Sequence, residues 1–144
     1  MYDRILLPTD GGPATEKAIQ QALDLADLCD ATLHVVSIAD RTAVPPDVRV
    51  GMVLDELEAN AENAVDEVRE RAEGAGVDVT TTVVRGVPYR AILDYAADED
   101  VDVIVMGTHG RRGLNRYLVG SVTEKVVRLS DVPVLTVRRA ASEE

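Results

Sequence analysis

The chain has 144 residues, 46% of them hydrophobic, and 26 acidic against 15 basic side chains, for a formal net charge of -11. That length suits one domain, 1–144, able to bury roughly 68–70% of its unfolded surface without metal or disulfide staples. The acidic balance excludes non-specific nucleic-acid binding, which needs a basic stripe, and no apolar run approaches the ~20 residues of a membrane span.

The start, MYDRILLPTD, enters an apolar run almost at once and leaves no room for a signal peptide, so a cytoplasmic protein is the expectation. Cys29 is the single cysteine, which excludes an internal disulfide; in its Ala/Leu-rich surroundings it reads as a small packed residue. Phe and Trp are missing, so Val, Leu, Ile and Ala must build the core. Lys17 and Lys125 are the only lysines. Excess carboxylate with scarce lysine points to adaptation to a high-salt, halophilic cytoplasm, where salt screens self-repulsion.

In chain order, Tyr2 to Pro8 predicts a first buried strand. Thr9-Asp10-Gly11-Gly12-Pro13 is a turn without the GxGxxG of a dinucleotide site. Ile19, Ala22, Leu23 and Ala26 keep helical spacing, so a helix is expected over 13–29. Ala31 to Ile38 is a second strand, 39–51 an irregular stretch, and 52–75 a long helix stopped by Gly74 and Gly76. Val77 to Val84 alternates as an edge strand with one wet face. The Gly86-Val87-Pro88 turn leads into a helix of about ten residues, with Ile92, Leu93 and Ala96 inward. The run Val103-Ile104-Val105-Met106 is a strand buried on both faces. After it come Gly107, Gly110, Gly113 and Gly120, then a helix from Ser121 to about Leu129 and a last strand, Val132 to Val137. Five strands alternating with four helices predict a parallel sheet with helices on both faces. The half-wet third strand at one edge suggests the order 3-2-1-4-5.

In that order the first and fourth strands lie side by side where the strand order reverses, and open α/β sheets bind ligands there. The loops Thr9-Asp10-Gly11 and Gly107-Thr108-His109-Gly110 then converge. Glycines admit a phosphate close to the backbone, and a helix N-terminus offers N–H groups and a positive dipole end. Taken alone, the glycines serve equally well as an ordinary turn. The predicted topology favours the phosphate reading.

At this point the residues resemble the universal stress protein family, in its nucleotide-binding form, over nearly the full length. Its motif G-x2-G-x9-G-[ST] is filled by Gly107, Gly110, Gly120 and Ser121. Pro8-Thr9-Asp10, His34-Val35 and Gly86-x-Pro88 are similar to further family landmarks. The resemblance implies a Rossmann-like, adenine nucleotide alpha hydrolase-like fold and a stress-response homodimer that binds ATP, with Mg2+ or Mn2+ as a possible companion. It implies Pro8, Thr9 and Asp10 near the nucleoside and Val35 and Met106 at the adenine. It implies Gly107, Gly110, Gly120, Ser121 and Thr123 around the phosphates, and His109, Arg111 and Val122, which lie within the same stretch, are counted with the ATP site. Gly12 departs from the family, whose members commonly carry a serine there. Arg111, Arg112 and Arg116 either help neutralise a triphosphate or stay solvated, and His109 either touches phosphate or is solvated or capping.

No Walker lysine follows the glycines, and no Ser/His/Asp set or general base emerges, so no catalytic residue is assigned. His34, on a buried face, reads as a satisfied core histidine, and the metal ligands remain unknown. The last strand is apolar on both faces at a sheet edge, which a two-fold dimer through Val132, Val134, Leu135 and Val137 would cover, as the resemblance also implies. Two rival functions stand beside ATP-dependent regulation. One is a slow ATPase or nucleotide-processing enzyme, the other a nucleotide-free interaction module.

Overall fold

The computed structural model describes residues 2–12, 15–40, 50–108 and 120–138. Five strands form one parallel sheet in the order β3-β2-β1-β4-β5: β1 Arg4–Pro8, β2 Thr32–Asp40, β3 Val79–Gly86, β4 Val103–Gly107 and β5 Val134–Val137. Four helices connect them: α1 Glu16–Cys29, α2 Val50–Gly74, α3 Pro88–Asp98 and α4 Ser121–Leu129. The expected order and the helices on both faces are therefore observed. The irregular stretch predicted over 39–51 lies largely outside the described residues, and the part that is described continues β2 and begins α2.

Side chains alternate along each central strand and divide the core in two. Ile5, Leu7, Leu33, Val35, Val103 and Val105 point to the α1/α2 face, while Leu6, Val36, Ile104 and Met106 point to the α3/α4 face. Ala18, Ile19, Ala22, Leu23 and Ala26 form the buried stripe of α1, as their spacing predicts.

α2 is less buried in its first turns than along the rest of its length. Its deep stripe begins at Ala61, and Leu54 and Leu57 are only half-buried. The 25 residues of α2 span about 37 Å at 1.5 Å each. The eight of β3 cover about 26 Å. The helix runs back from the carboxyl ends of the strands, so its first turns overhang that edge. Arg85, at the end of β3, clasps the overhang by donating to Glu58 and, at 3.3 Å, to Asp55. The Arg85 hydrogen bond holds the Glu58 carboxyl below its ordinary pKa.

β5 is shorter than the predicted 132–137 run because Pro133 carries no N–H for the ladder. It is also less buried than its composition suggests, with Leu135 exposed.

Candidate functional site

The carboxyl ends of β1 and β4 adjoin at the switch point, and the turns leaving them are built by local hydrogen bonds. After β1, the Thr9 N–H donates to the Val36 carbonyl at 2.9 Å, carrying the ladder one residue past the strand. The Thr9 hydroxyl accepts from the Gly11 N–H at 3.2 Å, and the Asp10 carboxylate accepts from the Gly12 N–H at 3.0 Å. Short polar side chains thus fold the turn back on itself. Gly11 sits at φ 79°, a left-handed backbone that glycine adopts without a Cβ clash. Thr15 closes the turn, its N–H and hydroxyl both donating to the Gly12 carbonyl at 3.1 and 2.7 Å.

After β4, the two ends of the glycine segment meet. The Gly120 N–H donates to the Thr108 carbonyl at 2.6 Å, and the Thr123 hydroxyl donates to the Gly107 carbonyl at 2.8 Å. The Thr108 N–H in turn donates to Val137 at 3.0 Å, pinning the junction to β5. α4 starts at Ser121 with Gly120 as N-cap and no side-chain cap among the described residues. The first turn of α4 therefore lies beside Gly107, where an anion can accept from its N–H groups.

Pro8, Thr9, Asp10, Gly107, Gly120, Ser121 and Thr123 are thus gathered at the ends of adjoining strands. Val122 is half-buried against the α3/α4 cluster, so it offers backbone rather than side chain. His109, Gly110 and Arg111 lie outside the described residues, as do Arg112 and Arg116. The side chains of Val35 and Met106 are not brought together. Val35 is wholly buried on the α1/α2 face and Met106 packs on the other, because they occupy opposite phases of the strand alternation. They do not form one apolar slot, and Val35 has only main chain to present.

A cleft of about 310 Å³ opens behind the Thr9–Gly12 turn, between α1 and α2. Thr15, Glu16 and Ile19 of α1 and Ala64 and Glu67 of α2 contribute to its lining. Sequence reasoning missed these residues. Glu67 reads only as part of a helix's wet face until the strand order sets α2 beside the β1 turn. Among the described residues, no group of three His, Cys, Asp or Glu side chains could hold a metal ion.

His34 stands apart from this site. It is buried on the α3/α4 face, its Nδ1 2.8 Å from the Tyr95 hydroxyl and the two rings edge-on at 5.7 Å. That is the satisfied core histidine expected from its strand position. Burial pushes its pKa below the ordinary value; Glu99 opposes the shift and Arg4 adds to it.

Comparison with known proteins agrees with this geometry. The universal stress protein family profile matches residues 1–138. Universal stress protein MJ0531 of Methanocaldococcus jannaschii is 33% identical over 146 residues, covering 99% of this chain and 86% of that protein. The solved structure of MJ0577, a universal stress protein of the same organism, superposes with a TM-score of 0.90 at 32% identity, over 98% of this chain and 99% of that one. A universal stress protein crystallised in complex with cAMP superposes at 0.75 with 29% identity, over 96% and 99% of the two chains. The chain belongs to the universal stress protein family.

Proposed function

We propose that this protein binds an adenine nucleotide, ATP foremost, across the carboxyl ends of β1 and β4, and acts as a regulatory stress-response homodimer in the cytoplasm. The observation that carries the reading is the junction of Gly107–Thr108 with Gly120–Thr123, held by the 2.6 and 2.8 Å hydrogen bonds. It sets a helix start with no side-chain cap among the described residues at the same edge of the sheet as the Thr9–Asp10–Gly11 turn. The cAMP complex of a relative supports the ligand class. In this reading Asp10 and Thr9 face the ribose, and the main chain of Val35 and Met106 borders the base. The N–H groups of Gly120, Ser121 and Val122 and the Ser121 hydroxyl hold phosphate, with His109, Gly110 and Arg111 completing the motif. The Thr123 proton is committed to the Gly107 carbonyl, so Thr123 fixes the junction and has only lone pairs left to offer. An accompanying Mg2+ or Mn2+ would be held chiefly by phosphate oxygens.

ATP serves here as a regulatory ligand rather than a consumed substrate. The dimer pairs β5 with its copy through Val132, Val134, Leu135 and Val137; the exposure of Leu135, Val127 and Leu129 supports that edge. Native mass spectrometry of protein purified without added nucleotide, sprayed from volatile salt, tests both parts. The expected species is a dimer carrying adenine nucleotide. Bare protein with no calorimetric response to ATP in molar salt would favour the nucleotide-free module. Magnesium-dependent turnover abolished by Asp10→Ala would favour an enzyme.

A further inference from the structure

β3 closes the sheet on the side away from β5, and its outer edge is open among the described residues. In a parallel ladder, alternate residues turn their N–H and C=O toward the same neighbour. The Leu33 N–H donates to the Asp78 carbonyl at 2.8 Å, so the even-numbered residues of β3 face β2. Val79, Thr81, Val83 and Arg85 therefore turn their N–H and C=O groups outward. Open edges are normally blunted by shortness, lysine, proline or a bulge. β3 has eight residues against the four of β5, carries no lysine or proline, and keeps an unbroken register with β2 from Val79 to Gly86. Its one charge, Arg85, is drawn aside to Asp55 and Glu58 of α2.

Carboxylates line this edge on both faces of the sheet. On the α2 side, Asp55 and Glu58 meet Arg85, and Asp66 pairs with Arg69, which donates to Thr81. Glu62 falls between Glu58 and Asp66 at four-residue steps, on the same side of the helix. On the other face, Asp94 and Asp98 share a side of α3 with Ala91, which lies against Gly86 at the end of β3, while Ile92 and Ala96 turn into the core. That charge decides the occupant. A second copy pairing two-fold through β3 would set α2 beside its own copy, carboxylate against carboxylate. We infer that the β3 edge takes an extended basic segment of another protein, which adds to the sheet as a further strand. Its main chain partners Val79, Thr81, Val83 and Arg85, and lysine or arginine at alternate positions meets the carboxylates of α2. β2 separates this edge from β1, so the partner and a ligand at the β1/β4 switch point occupy different places.

Fluorescence anisotropy tests this with a labelled peptide of about ten residues alternating lysine and threonine, and a control with glutamate for lysine. Molar salt suppresses long-range attraction, so only seated peptide is read. The wild type is expected to bind the lysine peptide at least about tenfold tighter than the control. Thr81→Pro removes an outward N–H without touching the β2–β3 ladder; it should weaken the lysine peptide about tenfold, with circular dichroism confirming the fold. Glu62→Lys combined with Asp94→Lys, which leaves the backbone untouched, should narrow the preference to within about threefold. No binding of the lysine peptide, or binding that Thr81→Pro leaves unchanged, overturns the edge as its site. Equal binding of both peptides by the wild type overturns the charge selection. A smaller particle by light scattering in Thr81→Pro overturns the partner and assigns the edge to a second copy.

Discussion

Gly120 has φ -61° and ψ 152°, a backbone that any residue adopts, so its missing side chain answers no conformational need. Gly120→Val therefore probes close approach at the start of α4 without adding backbone strain. It should weaken ATP binding at least tenfold, roughly 1.4 kcal/mol, with the far-UV spectrum unchanged; full affinity in that variant would refute the phosphate assignment. His34 makes a different prediction. Its folded pKa lies below the unfolded value of about 6.5, so the folded protein binds fewer protons there. The associated stability is present above pH ~6.5 and is lost as pH falls through the lower, folded value. Urea midpoints measured at about pH 7.5 and about pH 5.5 should drop more for the wild type than for His34→Gln. Equal drops would remove His34 as the cause. That His34 is a core residue was legible from its strand, but its partner Tyr95 was not. The two are 61 residues apart and meet only once α3 docks.

Three helices end in the same way. Asp30, Gly76 and Asp100 follow α1, α2 and α3 with φ of 55°, 74° and 52°, each a left-handed residue. The next residue in each case, Ala31, Val77 or Val101, is buried and donates its N–H back to Ala26, Ala72 or Ala96 at 2.9, 2.9 and 3.0 Å. This is the Schellman stop, in which an aliphatic residue just past the helix seals its last turn. The glycine after α2 was readable as such a stop. The two aspartates were not, because aspartate is equally at home in ordinary turns. Asp30 carries both a Cβ in a left-handed backbone and a negative charge at a helix C-terminus, each unfavourable. Asp30→Gly should stabilise the protein by about 0.5–1 kcal/mol, seen as a higher urea midpoint with unchanged slope. A lower midpoint would show that Asp30 contributes more than it costs. Boundaries were less legible than elements. Where α2 begins depends on its overhang past the sheet and its clasp by Arg85, and neither has a local signal.

At the scale of the molecule, strand order was legible because one strand alternates while its neighbours are uniformly apolar, a contrast set by who is covered on both faces. The cleft beside α2 was not, since it exists only between elements distant in sequence. The net charge of -11 predicts a salt requirement. Circular dichroism should show loss of structure as salt falls from molar to millimolar, and a flat titration would argue against it. The division of the core carries a final consequence. Among the described residues, the α1/α2 face seals a larger buried cluster than the α3/α4 face does, so the two sides need not open together. Amides of α4 should exchange with deuterated solvent through openings of lower free energy than those of α1. The motif at the head of α4 would then sit on the layer that breathes first, where a bound phosphate registers as slowed exchange; uniform protection of all four helices would contradict this.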